Sequence, residues 1–523
     1  MTHALVGRLT GPLERAAPGW RWTIVLLIVT AAAFALRVRH FGNPVIHIDE
    51  QYYLLVGDAM LHGRLPLVDF WDRKPPGLFL IFAGIRLVGG NGVVEYQVAA
   101  TLFAAATAFL IVRMAARIAP LYAALTAGLC YLLYLGLFGG EGGQTPVFYN
   151  FFVAICASLT LAAVTRERFD RRAFLMATLA MLVAGLAMQI KYTVLFEGAF
   201  FGLVLLWRAR STGLSWPALL GCALLWGLLG IAPTAAAYIY YASIGYGQEF
   251  VFANFLSTSA RVVEEGKTLE RLVRMFGLSA PLWIAAVVGR AVRNREWVPD
   301  YRAHDFLLGW MAASTGGVIL FGTYFEHYTL PMLAPMSVAA AAGIARWSAG
   351  VGIISGTRSW RLPFLLFVPL AGLVAQELVL AKNLRSRGGA AAFHAMADWI
   401  RPRLRPGECI YVHDGDPLLY REVGSCLPTR WNFPAHLDNL VEARALGVDP
   451  VAELQRIMAT RPRFVIISAQ PPGNAYPPAR AFMTAELRRG WRLVHSVQAG
   501  KVRRLVFEPA APAPPPPAVP RPH

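Results

Sequence analysis

The chain has 523 residues, of which 56% are hydrophobic and only 15% are charged, and its formal net charge is +18. A soluble protein of ordinary composition carries about 25% charged residues, so the composition argues against a soluble globular protein. The basic residues lie in short clusters between apolar runs rather than in one stripe with interleaved aromatic residues, which argues against nucleic acid as a partner.

Apolar runs of roughly 18–25 residues, long enough to cross a bilayer as helices, recur along the chain. Inside lipid every backbone polar group needs an internal partner, so such runs predict a mainly α-helical polytopic membrane protein. About eleven transmembrane helices are predicted, near residues 20–38, 94–116, 120–138, 147–165, 173–190, 193–208, 217–243, 275–292, 304–322, 328–346 and 361–381.

Arginine clusters in alternate loops, for example at 113–117, 166–172 and 290–302, predict the cytoplasmic side together with the amino terminus. Residues 40–93 and everything after 382 then face outward. Four arginines oppose this pattern: Arg37, Arg39, Arg271 and Arg274. No clear small-residue cleavage site follows the first apolar run, so we expect an anchor rather than a signal peptide.

Residues 385–510 have a different pattern, in which short strands alternate with helices, so they predict a small extracytoplasmic α/β domain. "ECIYVHD" and "RFVIIS" are predicted strands, and "WRLVHSVQ" with "RRLVFEP" predicts a closing hairpin. Cys409 and Cys426 lie in this outward part, where they can form a disulfide or remain thiols. The proline-rich residues 511–523 are expected to be disordered.

The first outward loop contains the stretch "HIDEQYYLLVGDAMLHGRLPLVDFWDRKPPG", residues 47–77. We expect Asp49 to cap a helix that begins at Glu50 and ends at Gly63. Its apolar residues recur at helical spacing and predict a single stripe lying at the membrane surface. Pro75 and Pro76 predict a second short surface helix. The two helices would frame the charged residues Asp69, Asp72, Arg73 and Lys74.

The Asp49-Glu50 pair after the first span, the following tyrosines and the "D-x-W-D-x-KPP" stretch resemble the GT-C superfamily of polyprenyl-phosphate-sugar-dependent glycosyltransferases. The similarity is greatest to the bacterial aminoarabinose and galacturonic acid transferases and to relatives of the protein O-mannosyltransferases. "FEHYTLPMLAP" (325–335) and "CIYVHDGDPLLYREVGSCLPTRWNFP" (409–434) also resemble stretches of this superfamily.

The resemblance implies an inverting transfer of a sugar from a polyprenyl-phosphate donor to a hydroxyl of a glycan, lipid or protein acceptor. It implies a transmembrane glycosyltransferase module at residues 1–384, with the catalytic loop at 40–93, in the bacterial cytoplasmic (inner) membrane. Asp49 is then the candidate general base, and Glu50 is the second catalytic acid. The remaining substrate-binding candidates are Tyr53, Asp69, Asp72, Glu141 and Tyr328. Glu141 lies in the Gly-rich loop 139–150, which we expect to be flexible.

The departing phosphate requires cations because negative charge develops on it as the glycosidic bond breaks. The chain has only five lysines, and Lys74 and Lys191 lie at the predicted outer edge of the membrane. These lysines, with Arg73 and His327, are the candidate phosphate-binding residues. The alternatives are interface anchoring for the lysines and a structural role for His327.

A lipid-linked sugar transporter or flippase is the main alternative function. Transporters usually place ionisable residues at mid-membrane, whereas the candidates here cluster near its edges. The branch that the chain resembles generally works without a metal, so no obligatory cofactor is expected, although paired acids can bind a divalent cation.

Overall fold

The computed structural model describes residues 17–261, 266–291, 300–322, 324–349 and 361–510. The predicted proline-rich tail, residues 511–523, lies outside the described residues. Helices of ten or more residues run in this order: α1 Pro18–Arg37, α2 Ile48–Met60, α3 Pro76–Arg86, α4 Val93–Ala115, α5 Leu121–Leu137, α6 Thr145–Val164, α7 Arg171–Met188, α8 Leu195–Ser211, α9 Trp216–Ser243, α10 Thr268–Ala291, α11 Tyr301–Phe321, α12 Leu330–Ala349, α13 Arg361–Arg387, α14 Ala390–Ile400, α15 Pro450–Ala459 and α16 Pro477–Gly490.

Each of the eleven predicted spans coincides with one of these helices. Within the described residues, eight helices are long and apolar enough to cross a membrane: α1, α4, α6, α7, α8, α9, α10 and α12, with the flanking turns of α1, α8 and α12 included. The helix α5 is apolar but has only 17 residues, which at 1.5 Å per residue is about 25 Å. The protein is therefore a mainly α-helical, multi-pass membrane protein, as its composition predicted.

The chain divides into two compact units. The first, called the helical unit, consists of the described residues within Met1–Gly42, Lys74–Gly247 and Glu264–Ala381. The second, called the sheet unit, consists of those within Asn43–Arg73, Gln248–Val263 and Lys382–His523. The sequence prediction had grouped residues 40–93 with the transmembrane module; in the structure, residues 43–73 belong to the sheet unit.

Close helix packing in the helical unit centres on α12, which packs against α10 and α5. Of its most apolar stretch, 89% is buried, and its sequence is rich in alanine. A Cβ atom at Gly343 would lie 1.9 Å from the carbonyl oxygen of Ala285 in α10. Small residues let membrane helices approach this closely, so the composition of α12 explains its central position.

The sheet unit contains four strands: β1 Ile410–Val412, β2 Phe464–Ser468, β3 Trp491–Ala499 and β4 Val502–Pro509. Their order is β1-β2-β4-β3, with β1 and β2 parallel and the other pairs antiparallel. This confirms the predicted strands, the hairpin and the small α/β fold. Trp71, from the segment between α2 and α3, is buried in the core of this unit beside residues of α15 and β2.

Candidate active-site residues

The helix α2 carries the acidic pair, but it begins two residues earlier than predicted. Ile48 is its first residue, and His47 occupies the N-cap position without a side-chain capping hydrogen bond. Asp49 is therefore not the cap and lies in the first turn with Glu50, where the helix dipole favours negative charge. The predicted single apolar stripe is also wrong, because residues 50–57 are all buried.

The two acids differ in their access to solvent. The Asp49 side chain is 16% exposed, and its Oδ2 lies 3.5 Å from Nδ1 of His47. The side chain of Glu50 is fully buried. Asp49 is thus the acid that a second molecule can reach. Together, His47 and Asp49 offer two ligand atoms of the kinds that bind divalent cations.

Contacts within the sheet unit fix the orientation of α2. Gln51 Nε2 donates a hydrogen bond of 2.9 Å to Oδ1 of Asp416 in the turn after β1. The hydroxyl of Tyr52 donates to the carbonyl oxygen of Trp71 at 3.0 Å. Burial raises the pKa of Tyr52, and Asp72 adds to the effect, so this hydroxyl stays protonated as a donor. Tyr53, a predicted substrate-binding residue, is 1% exposed.

Asp69 and Asp72, also predicted to bind substrate, make hydrogen bonds within the loop. Asp69 accepts from the backbone N–H of Leu65 at 2.7 Å and lies 3.3 Å from the guanidinium of Arg64. Asp72 is 5% exposed and accepts from the backbone N–H of Arg73 at 2.6 Å. In this structure both carboxylates therefore shape the backbone between α2 and α3.

Arg73, a predicted phosphate-binding residue, is part of a buried ion-pair network. Its guanidinium binds Glu442, and its Nε donates to Oγ of Ser257 at 3.1 Å. Arg261 binds the other oxygen of Glu442. Burial alone would raise the pKa of Glu442, but Arg261 and Arg73 outweigh burial and lower that pKa to about 2. Nothing in the local sequence distinguishes Glu442 or Arg261 from other surface charges, so sequence reasoning missed both.

In the helical unit, Lys191 lies at the turn between α7 and α8 and lines a small cavity. Its Nζ lies 4.6 Å from the ring centroid of Tyr328, a cation–π contact. Glu197, which is 3% exposed and accepts from Nε1 of Trp310 at 2.7 Å, lines the same cavity. The cavity volume is ≈ 20 Å³, room for about one water molecule. The predicted residues Lys191 and Tyr328 thus come together, and Glu197 is an addition that the sequence did not suggest.

His327 belongs to the aromatic cluster around Tyr328. Its ring lies parallel to that of Phe325, with 6.0 Å between centroids, and edge-on to Tyr328 at 4.8 Å. The neighbouring Glu326 forms an ion pair of 2.5 Å with Arg274. Arg274 is one of the arginines that opposed the predicted charge pattern, and this pair gives it a structural role.

The Lys74-Pro-Pro-Gly segment packs closely against the end of α7. A Cβ atom on Gly77 would lie 2.6 Å from the carbonyl oxygen of Gln189, and Gln189 stands two residues before Lys191. This approach requires a residue without a side chain. Lys74, which is half-buried, is thereby tied through its own segment to the turn that carries Lys191.

The loop that contains Glu141 is held in place, whereas the sequence predicted a flexible loop. Arg37, at the end of α1 and 4% exposed, donates to the carbonyl oxygens of Gly140 at 2.5 Å and Gly142 at 2.6 Å. It also donates to Thr101 at 3.1 Å. Arg37 opposed the predicted charge pattern, and its buried contacts explain why it is there. Glu141 is half-buried between the two bound carbonyl groups.

The predicted site residues therefore fall into two groups. The sheet unit holds Asp49, Glu50, Tyr53, Asp69, Asp72 and Arg73, and the helical unit holds Lys74, Glu141, Lys191, His327 and Tyr328.

A bundle of membrane-spanning helices followed by a small α/β domain is the fold of GT-C glycosyltransferases, and the comparison with solved structures shows that fold here. Neither a protein-family model nor a curated protein matches the sequence significantly. Among solved structures, ArnT from Cupriavidus metallidurans bound to undecaprenyl phosphate is similar, with a TM-score of 0.60 and 14% identity over 94% of this chain and 98% of ArnT.

The archaeal oligosaccharyltransferase AglB from Archaeoglobus fulgidus, in complex with an inhibitory peptide and a dolichol-phosphate, is also similar. Its TM-score is 0.52, with 13% identity over 85% of this chain and 69% of AglB. At 14% and 13% identity these two likenesses show the fold, and they confirm the GT-C fold that the resemblance of the first loop implied.

Proposed function

We propose that the protein is a membrane glycosyltransferase that moves a sugar from a polyprenyl-phosphate donor to an acceptor hydroxyl, with inversion at the anomeric carbon. The observation that carries the proposal is the likeness to ArnT over almost the full length of both chains, together with the undecaprenyl phosphate in that ArnT structure. The acceptor is a glycan, a lipid or a protein.

Asp49 acts as the general base. As the acceptor oxygen bonds to the anomeric carbon, the bond from that carbon to the phosphate oxygen breaks, and the acceptor proton passes to the Asp49 carboxylate. Such a positioned base contributes typically about 10²–10⁴-fold to the rate. The partial exposure of Asp49 and its place on a helix held by Gln51 and Tyr52 suit this role. Glu50, next to Asp49 in the same turn of the helix, is the second catalytic acid.

Two lysines of the helical unit, Lys191 and Lys74, supply most of the positive charge for the departing polyprenyl phosphate. Lys191 is the principal contact, because its ammonium lines a cavity beside the ring of Tyr328 and a charge-assisted contact to a phosphate oxygen is stronger than a contact with a neutral ring. A cavity of ≈ 20 Å³ must open for this, so the rings of Tyr328 and His327 move when donor binds. Lys74 and Arg73 are secondary contacts of the phosphate. To bind it, Arg73 must leave Glu442 or bind both groups at once.

The remaining candidates bind the sugar and the acceptor: Tyr53, Asp69, Asp72, Glu141 and Tyr328. We further propose that the protein lies in the bacterial inner membrane with its amino terminus in the cytoplasm and the sheet unit outside. No divalent cation is obligatory, because lysine and arginine side chains meet the charge of the leaving phosphate. His47 and Asp49 are where a cation would bind if one took part.

Reconstitution tests the proposal. The purified full-length protein in proteoliposomes is given radiolabelled polyprenyl-phosphate sugars with extracts of envelope glycans, lipids and proteins as acceptors. We expect label in a covalent product and release of unlabelled polyprenyl phosphate, with and without EDTA. Label that crosses the bilayer while still lipid-linked, with no covalent product, would instead identify a transporter. Activity lost in EDTA and restored by Mn²⁺ would overturn the metal-free mechanism alone.

A further inference from the structure

The sheet unit contains an open cavity of ≈ 670 Å³, and Asp69 is the single lining residue that has a role assigned above. One wall comes from the second half of α2 and the loop after it, and the other comes from residues 420–430, which follow β1. Small-molecule sites in proteins have volumes of roughly 300–1,000 Å³. Its size is therefore that of a ligand site rather than of a packing defect.

Two arginine–aspartate pairs lie in the cavity wall. Arg421 Nε is 3.3 Å from Oδ2 of Asp58, and Arg64 Nη1 is 3.3 Å from Oδ1 of Asp69. The side chains of Arg421 and Asp58 are 18% and 20% exposed, so the pair remains open to the cavity. Each pair sets hydrogen-bond donors beside acceptors, an arrangement that matches sugar hydroxyl groups, which both donate and accept.

A third guanidinium, that of Arg430, is held differently. Its Cζ lies 4.4 Å from the ring centroid of Trp431, so the planar group is stacked on the indole. Stacking leaves the in-plane N–H donors of an arginine able to bind a further group, and their fork fits a carboxylate or a phosphate bidentately. With three arginines and two aspartates in its lining, the cavity has a net charge of +1 when His62 is neutral.

The wall that carries Arg430 is fixed by covalent and polar contacts. Cys426, which lines the cavity, forms a disulfide with Cys409 immediately before β1. Oγ1 of Thr429 donates to Oε1 of the buried Glu453 in α15 at 2.7 Å. A preformed wall reduces the ordering cost of binding, which again favours a ligand site.

We propose that this cavity binds an acidic saccharide, that is, a glycan segment that carries a carboxylate or a phosphate. In the proposed transferase, which this inference takes as given, the segment is part of the acceptor. Asp58 in the cavity wall and Asp49 are nine residues apart on α2, about 13 Å along the helix axis. The acceptor is therefore an extended glycan rather than a single sugar, bound by its acidic part at a distance from the reacting hydroxyl.

The test is direct binding to the purified full-length protein in nanodiscs, measured by isothermal titration calorimetry. The probes are trigalacturonate, its neutral methyl ester and galactose 6-phosphate. Arg430→Gln removes the stacked fork, and Arg403→Gln is its matched control, because Arg403 stacks on Trp399 at the same 4.4 Å but does not line the cavity.

We expect trigalacturonate to bind more tightly than its ester. The Arg430→Gln variant should bind trigalacturonate more weakly by about tenfold or more, which is the loss expected for a hydrogen bond to a charged group. Arg403→Gln should leave its affinity unchanged. Binding of galactose 6-phosphate alone would keep the site and identify phosphate as the acidic group. Three results would overturn the inference: equal binding of the acid and its ester, wild-type affinity for trigalacturonate in the Arg430→Gln variant, or no binding of any probe. Sugar transfer that persists without probe binding overturns the cavity site only, and binding without transfer leaves the site while overturning the proposed enzyme.

Discussion

Arg73 and Glu442, which are 369 positions apart in the sequence, form an ion pair inside the sheet unit. Arg261 binds the same carboxylate, so one buried acid joins three separate stretches of chain. Because residues 43–73 include the acidic turn of α2, this network holds a proposed catalytic element in the sheet unit.

Glu442→Gln should lower the free energy of unfolding of the sheet unit by about 3–5 kcal/mol, the cost of leaving buried charges without their partner. The pKa of Glu442 in the folded protein, about 2, lies below the ordinary glutamate value of about 4.3. The stabilisation is therefore present above about pH 4.3 and is lost as the pH falls toward 2. Denaturant unfolding followed by tryptophan fluorescence measures both effects.

Glu422→Gln is the control for this measurement, since Glu422 pairs with Arg401 at 2.6 Å but both side chains are partly exposed, 27% and 47%. Exposed pairs contribute about 1 kcal/mol or less. If the two variants unfolded alike, or if the acid-dependent step of the wild type persisted in Glu442→Gln, the network would not have the role assigned to it.

Asp49→Asn should reduce kcat of sugar transfer by about 10²–10⁴-fold while the KM for the donor stays near its wild-type value. An amide keeps the size of the side chain but cannot accept the acceptor proton. Steady-state kinetics with radiolabelled donor measure the change. Asp398→Asn, at an exposed carboxylate of the same unit, should behave as wild type. Full turnover in Asp49→Asn would show that another group is the base.

Lys191→Ala should weaken binding of polyprenyl phosphate and slow its release from the sugar, because the ammonium beside Tyr328 would no longer meet the developing charge. Lys191→Arg should recover part of the activity. Product inhibition by polyprenyl phosphate measures the binding part, and Lys501→Ala, at an exposed turn between β3 and β4, is the control. Unchanged kinetics in Lys191→Ala would return this lysine to an anchoring role.

Gly77→Ala should destabilise the helical unit by about 1–3 kcal/mol and reduce transfer, because the added methyl would lie 2.6 Å from the Gln189 carbonyl oxygen. The Lys74 segment must then shift away from the end of α7. Gly84→Ala is the matched control in the same helix, since a Cβ there meets nothing within 4 Å. Thermal stability and transfer rate are measured for both. Equal results would show that the close approach at Gly77 does not matter.

The elements of the fold were largely predictable because their signals are local. Apolar runs located the spans, and short strand-like runs alternating with helical ones marked β1, β2 and the β3–β4 hairpin. The start of α2 was mispredicted because Asp49 is a favoured N-cap residue, but the chain enters the helix at Ile48. Favourable capping chemistry at one position therefore does not prevent a helix from beginning earlier in the chain.

The sequence by itself determined that this is a membrane protein with an acidic turn and a Lys-Pro-Pro motif after its first span, because hydropathy, helical spacing and short motifs depend on neighbouring residues. Only the tertiary structure decided that Arg73 binds Glu442, that Arg37 holds the Gly140 loop and that Lys191 meets Tyr328. Arginine recurs along the chain at many equivalent-looking positions, and which carboxylate or carbonyl each one reaches is set by the packing of segments hundreds of residues apart.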